Sequence, residues 1–273
     1  MVPQRRFGYI PDPLDVRDRK FATLLGSRKL SGAPQISVNF VQRVPEILDQ
    51  GDLGSCTAQA ALGAIRLKHV LDGIRSPLLA SRLLTYWGTR KYLGTVNWDS
   101  GGHLRDTFKF LNGFGYLPER ETVNGYNIQK FKAAPTPLEL RRMYDQRDKS
   151  DGQVEYFRIY EEGVLRINAI RRAISNRMPV VLGTDTTEAF LSNSGELLLR
   201  PSETARSTGG HAMYVCGYDA LGVYIPNSWG RSHGRDGILH MSWDYVAWEH
   251  TRDIWAVAKA PYYSHLRDGE DVA

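Results

Sequence analysis

Apolar and polar positions along this chain change their rhythm once, past its middle. In the first half, apolar residues recur at helical spacing. Ala58, Ala61, Leu62 and Ile65 stand at i, i+3, i+4 and i+7, which predicts a helix opening at Ser55 or Cys56. A second helix, roughly Ser81 to Tyr92, buries Leu83, Leu84 and Trp87, and a third follows Gly101-Gly102 with Leu104, Phe108 and Leu111 on one face. Around Pro118–Ser150 the periodicity dissolves into a long surface connection with a short helix near Leu138–Arg147. Ile170 and Ile174 mark a further helix over about Asn168–Arg177. After Pro179 the pattern becomes short strands: Val180–Thr184, Ala212–Tyr218, Val223–Pro226, Gly237–Ser242 and Ile254–Ala258. Glycines and polar residues separate them, as in an antiparallel sheet or barrel. Residues 1–32, interrupted by Pro3, Pro11, Pro13, Gly26 and Gly32, read as irregular. Helices first and strands later predict an α+β protein with two lobes.

Composition narrows the function classes. At 273 residues the chain can bury one large core or two lobes around a shared cleft. No stretch approaches the roughly 20 apolar residues of a membrane span. The polar start, Met1 to Lys20, lacks the apolar core of a secretory signal. With only two cysteines, Cys56 and Cys216, the expectation is a reducing, cytoplasmic setting, phage or viral association included. Neither an H-E-x-x-H arrangement nor a C-x-x-C pair occurs, so no metal and no other cofactor is expected. Most of the net charge of +5 sits in residues 1–32, where seven basic groups face three acids. That basic arm is either solvated or makes a contact with a polyanionic partner or with an acidic groove.

Three segments carry chemistry. In Gln50-Gly51-Asp52-Leu53-Gly54-Ser55-Cys56 the glycines allow a tight turn, and a cysteine at a helix start meets unpaired N–H groups and the positive end of the helix dipole. Both favour the thiolate, which a free thiol with a pKa of about 8.5 otherwise forms poorly near neutrality. A lone cysteine is more often a core residue. In Thr208-Gly209-Gly210-His211-Ala212 a histidine stands where a Gly-Gly turn enters an apolar strand. By itself it is more often structural. In Ile225-Pro226-Asn227-Ser228-Trp229-Gly230 an asparagine closes the next strand, where a hairpin can bring its amide oxygen to one ring nitrogen of His211. Elsewhere Asn227 would be read as a turn former. Cys216, inside an apolar strand, reads as an inert core thiol.

Together the three segments resemble the papain family of cysteine peptidases over about Ala33 to Ala260. Gln50 stands six positions before Cys56, His211 and Asn227 are sixteen apart, and Asn227-Ser228-Trp229-Gly230 matches the family's Asn-Ser-Trp-Gly motif. The resemblance implies a helical N-terminal lobe, an antiparallel β-barrel-like C-terminal lobe and an active-site cleft between them. It implies a protein or peptide substrate and a Cys56 thiolate paired with imidazolium His211. Asn227 would orient the ring, Trp229 would shield that bond, and Gln50 with the Cys56 N–H would hold the oxyanion. Gly101 and Gly102 resemble the glycine pair that lines the family's cleft and pairs with an extended substrate, and Gly210 would flank the same cleft beside the histidine. Thr57 stands where the family usually has tryptophan, Leu53 where a half-cystine is common and Gly210 where several members carry aspartate. These departures imply a divergent microbial or viral branch.

The domain reading that follows is a basic N-terminal extension over 1–32, a catalytic domain over 33–260 and a tail over 261–273. The extension is too short for the family's large helical propeptide, and is expected to pack along the catalytic domain or enter its cleft. The same acyl-enzyme chemistry would also serve a transferase, a deamidase or an isopeptide or cell-wall peptide hydrolase. A non-catalytic papain-like binding module is the remaining alternative.

Overall fold

The computed structural model describes residues 6–26, 30 and 33–261. Its helices are α1 (Ala22–Gly26), α2 (Cys56–Leu71), α3 (Arg82–Leu93), α4 (Leu104–Phe114), α5 (Pro137–Lys149), α6 (Gly163–Ser175), α7 (Glu188–Leu191) and α8 (Trp243–Val246). Its strands are β1 (Val38–Asn39), β2 (Glu155–Ile159), β3 (Val180–Thr186), β4 (Leu197–Leu198), β5 (Gly209–Val215), β6 (Gly217–Tyr218), β7 (Gly222–Pro226), β8 (Ile238–Ser242) and β9 (Thr251–Lys259). The fold is α+β, with α2–α5 forming the helical lobe and most strands the other.

Local chemistry sets several boundaries. Ser81 caps α3 by accepting the Leu84 N–H at 3.2 Å, and Gly94 ends it in the left-handed region at φ 70°. Thr136 and Glu139 form a reciprocal capping box at the start of α5, with Pro137 in the first turn. This box gives a complete helix where the polar sequence suggested only a short one. Helix α2 is buried on nearly every side. It lies against β5, and at Gly63 a Cβ would come within 2.4 Å of the Tyr214 ring, so the glycine lets helix and strand approach.

Four points of the expected layout are corrected. The strands do not close into a barrel. Among the described residues they form one sheet in the order β1-β6-β7-β8-β4 and a second in the order β2-β9-β3-β5, and the β4–β8 pairing is parallel. The expected single strand Ala212–Tyr218 splits at Cys216, where the chain crosses from the second sheet to the first. The Cys216 N–H donates to Tyr224 and its carbonyl accepts from Phe40. Strand β2 was missed in a segment with weak alternation; it is held by pairing with β9. Residues 1–32 are not wholly irregular, because α1 lies within them. The expected tail, apart from Pro261, lies outside the described residues.

Apolar side chains gather in one core between the sheets and α6, including Ile170, Val180, Val215 and Trp255's neighbour Ala256. A second core joins α2 and α4 to the sheet through Ala61, Leu104, Phe108, Val181 and Tyr214, and both cysteines belong to it. Both are free thiols. No helix among the described residues is long and apolar enough to cross a membrane.

Candidate active site

The first residue of α2 is Cys56, and its side chain is fully buried. Burial pushes its thiol pKa up to about 11. The N–H groups of Ala212, Gly8, Thr57 and Cys56 itself are directed at the sulfur and pull in the other direction. Two of those donors come from far along the chain. Ala212 follows His211 in β5, so the strand that carries the imidazole also contacts the thiol. Gly8 belongs to the N-terminal arm.

His211 is fully buried, and its Nε2 meets Asn227 Oδ1 at 2.8 Å. Strand β5 reaches His211 opposite Thr184 of β3, and β7 ends immediately before Asn227. The side chains approach because both strands end at the same edge of the structure. Asn227 Oδ1 also accepts the Ser228 N–H at 2.9 Å, which fixes oxygen and nitrogen of the amide. Its NH2 therefore donates, and the acceptor is Nδ1 of His233 at 2.9 Å. His233 must then carry its proton on Nε2, which donates to the Phe190 carbonyl at 2.9 Å. Trp229 covers the histidine pair: its ring lies 4.6 Å from His211 and 4.6 Å from His233, and Phe190 meets it edge-on at 5.3 Å. This apolar cover keeps water from competing for the buried hydrogen bonds.

Gln50 is held to the same edge by its backbone, which donates to Ser228, and by its Oε1, which accepts from Ser228 Oγ at 2.8 Å. Its Nε2 donates to Leu53 O at 2.9 Å and to the carbonyl of Arg6 at 3.0 Å. One of the two bonds that this amide nitrogen donates is thus made to the arm.

Gly101, Gly102 and Gly210 contact the same arm. The Gly102 N–H donates to Gly8 O at 2.7 Å and its carbonyl accepts the Ile10 N–H at 3.0 Å, a parallel bridge. Tyr9 donates its N–H to Gly210 O at 3.0 Å. A Cβ on Gly101 would come 2.3 Å from Gly8 O and one on Gly210 2.5 Å from Tyr9 O; one on Gly8 would meet Gly54 O at 1.7 Å. Arm and cleft therefore approach backbone to backbone, with no room for side chains.

Beyond Tyr9 the arm is held by buried charge. Asp12 and Asp18 face Arg158, Asp18 pairs with Arg105 through two hydrogen bonds of 2.8 and 2.6 Å, and Trp255 Nε1 donates to Asp12 at 3.0 Å. Burial and the nearby Asp253 push the Asp12 pKa up to about 6, against the pull of the Arg105 N–H and the charges of Arg105 and Arg158.

The eight residues singled out from the sequence are thus gathered together: Gln50, Cys56, Trp229, Gly101, Gly102 and Gly210 meet residues 6–9 of the arm, and His211 and Asn227 are bonded to each other beneath Trp229. Gly8, Tyr9, Asp253 and His233 were missed. His233 had one signal, its place six residues after Asn227.

Three comparisons bear on this arrangement. The family model described as papain family cysteine protease matches residues 37–251. A peptidase C1-like protein of Acanthamoeba polyphaga mimivirus is 30% identical over 93% of this chain and 86% of its own length. Bovine cathepsin S is 26% identical over 73% of this chain and 56% of its own length. Among solved structures, xylellain, a cysteine protease from Xylella fastidiosa, superposes with a TM-score of 0.76 at 26% identity, covering 94% of this chain and 97% of that one.

Proposed function

The chain belongs to the papain family of cysteine proteases, and on that premise we propose that Cys56, His211, Asn227 and Gln50 cleave peptide bonds and that residues 6–12 keep the site latent. The observation that carries the first part is the 2.8 Å bond between His211 Nε2 and Asn227 Oδ1. It commits one ring nitrogen to the amide and leaves Nδ1 for the thiol. When the arm leaves, water and the imidazolium replace the apolar burial that raises the thiol pKa, and the N–H groups at the start of α2 favour the thiolate. The thiolate adds to the scissile carbonyl. Gln50 Nε2, freed from Arg6, and the Cys56 N–H take the oxyanion, and one such donor is worth about 3–4 kcal/mol to the transition state. Imidazolium His211 gives its proton to the leaving amine. It then takes a proton from water, whose oxygen adds to the acyl carbon and releases the carboxylate product and the thiol.

Latency is supported by the occupants of the site: Gly8 against the sulfur, the Arg6 carbonyl on Gln50 and backbone bonds on Gly102 and Gly210. A thiol-directed epoxide followed by mass spectrometry on the full chain carrying Gly8→Val, whose arm is displaced from Gly54, beside the same chain carrying Cys56→Ala on a peptide library, tests the chemistry. The expected adduct is on Cys56, with cleavage lost in the variant. An adduct on Cys216 or undiminished cleavage by Cys56→Ala overturns it, and labelling at Cys56 without peptide cleavage favours another acyl transfer.

A further inference from the structure

The arm does more than cover the thiol, for it also fills a side-chain pocket in the cleft wall. The Tyr9 ring is 6% exposed and sits on Gly183 of β3, where a Cβ would lie 2.1 Å from Cζ of the ring. Gly183 adopts no left-handed backbone. Only the need for space calls for glycine here, and any side chain would fill the pocket.

At the far end stands Asp253. Its Oδ2 accepts the Tyr9 hydroxyl at 2.6 Å and the Asp12 N–H at 2.6 Å, while its Oδ1 is ion-paired with Arg158. Asp253 itself is held at φ 50°, in the left-handed region, within a register shift of the β3–β9 pairing between Val181 and Gly183. Such a bulge re-aims a side chain, and a non-glycine residue in this conformation costs about 1–3 kcal/mol. The carboxylate is directed at the pocket at some expense to the sheet.

Both donors to Oδ2 belong to the arm. When the arm withdraws, Arg158 still answers Oδ1, and Oδ2 is left without its two donors at the end of a ring-shaped space. We infer that this pocket is a substrate side-chain site and that it selects tyrosine, the phenol replacing that of Tyr9. The inference rests on the peptidase reading, because Tyr9 adjoins Gly8, which lies against Cys56, and a substrate threading the same cleft presents a side chain at the same wall. Phenylalanine fills the ring space but leaves Oδ2 without a donor, a mismatch that a site built around a hydroxyl rejects strongly. Lysine or arginine gains little, because Arg158 already compensates Asp253 and Arg105 adds positive charge nearby once Asp12 and Asp18 have left with the arm.

The experiment uses the full chain carrying Gly8→Val, which displaces the arm from Gly54. Cleavage of a positional peptide library is read together with calorimetric binding of matched tyrosine and phenylalanine peptides to the same protein carrying Cys56→Ala. The expected result is one peptide position at which tyrosine exceeds phenylalanine by about tenfold or more, in both cleavage and binding. That ratio should collapse in Asp253→Gly, which suits the left-handed backbone. Equal binding of the two peptides, or a ratio unchanged in Asp253→Gly, overturns the inference. Selective binding without cleavage of any peptide keeps the pocket and removes the peptidase reading instead.

Discussion

Asn227 and His233 share a hydrogen bond of 2.9 Å in which the amide donates and the imidazole accepts. With Oδ1 engaged by His211 and by the Ser228 N–H, this bond sets the last freedom of the Asn227 side chain. On the proposed mechanism His233 holds the residue that orients His211. In the Gly8→Val chain, His233→Leu should lower kcat between about tenfold and about a hundredfold with KM little changed. His233→Asn, whose Oδ1 can accept in place of Nδ1, should restore part of the loss. A rise in KM at constant kcat, or no rescue by asparagine, would mean that His233 only fills space.

Gly8 admits no side chain at its place against Gly54. Gly8→Val in the full chain should therefore raise the rate of Cys56 alkylation by iodoacetamide at pH 7.5 by about tenfold or more, as the opened fraction grows. Cys216, fully buried behind β5, should stay unlabelled in both proteins. Equal alkylation rates would show that the arm does not limit access.

The raised pKa of Asp12 gives arm docking a pH dependence of definite sign. Docked Asp12 holds its proton to about pH 6, above the ordinary carboxylate value of 3.8. Its contribution is fully present below the ordinary value and is lost as pH rises through about 6, an effect on the order of 3 kcal/mol at most. The stability of the wild type minus that of Asp12→Asn, from urea unfolding, should fall between pH 4 and pH 7. A difference that is flat, or that rises with pH, contradicts the assignment and would mean that Arg105 and Arg158 keep the carboxylate ionised.

Gly63 seats α2, which opens on Cys56, against β5, which carries His211. Gly63→Ala gains helix propensity but drives a methyl into the Tyr214 ring. Overpacking of this kind costs about 1–3 kcal/mol and should outweigh the propensity gain. The expected result is a lower midpoint of thermal unfolding, with catalytic geometry disturbed as well; a raised midpoint would mean that Tyr214 moves aside freely.

The order of helices and strands was legible because each element carries its own period: 3.6 for Ala58, Ala61, Leu62 and Ile65, and alternation or glycine-bounded apolar runs for the strands. What failed did so where no local signal exists. Strand β2 is made by pairing with β9, and the crossing at Cys216 depends on which sheet each neighbour joins. The arm was read through its charge, and charge was the poorer guide. Arg6 stays half-exposed near Asp52 and Asp99, while the uncharged Gly8 and Tyr9 enter the cleft. Among the described residues of the arm, the acids Asp12 and Asp18 make its buried ion pairs.

The sequence by itself determined which groups are candidates for the reaction, because the glutamine, cysteine, histidine and asparagine each sit in a short motif whose spacing survives without the rest of the fold. Only the tertiary structure decided what those groups meet. Gly8 lies on Cys56, the Arg6 carbonyl on Gln50, and the Tyr9 hydroxyl on Asp253, 244 residues away along the chain. Contacts at such separations follow from how two lobes close around an arm, and they leave no periodic trace in the residues that make them.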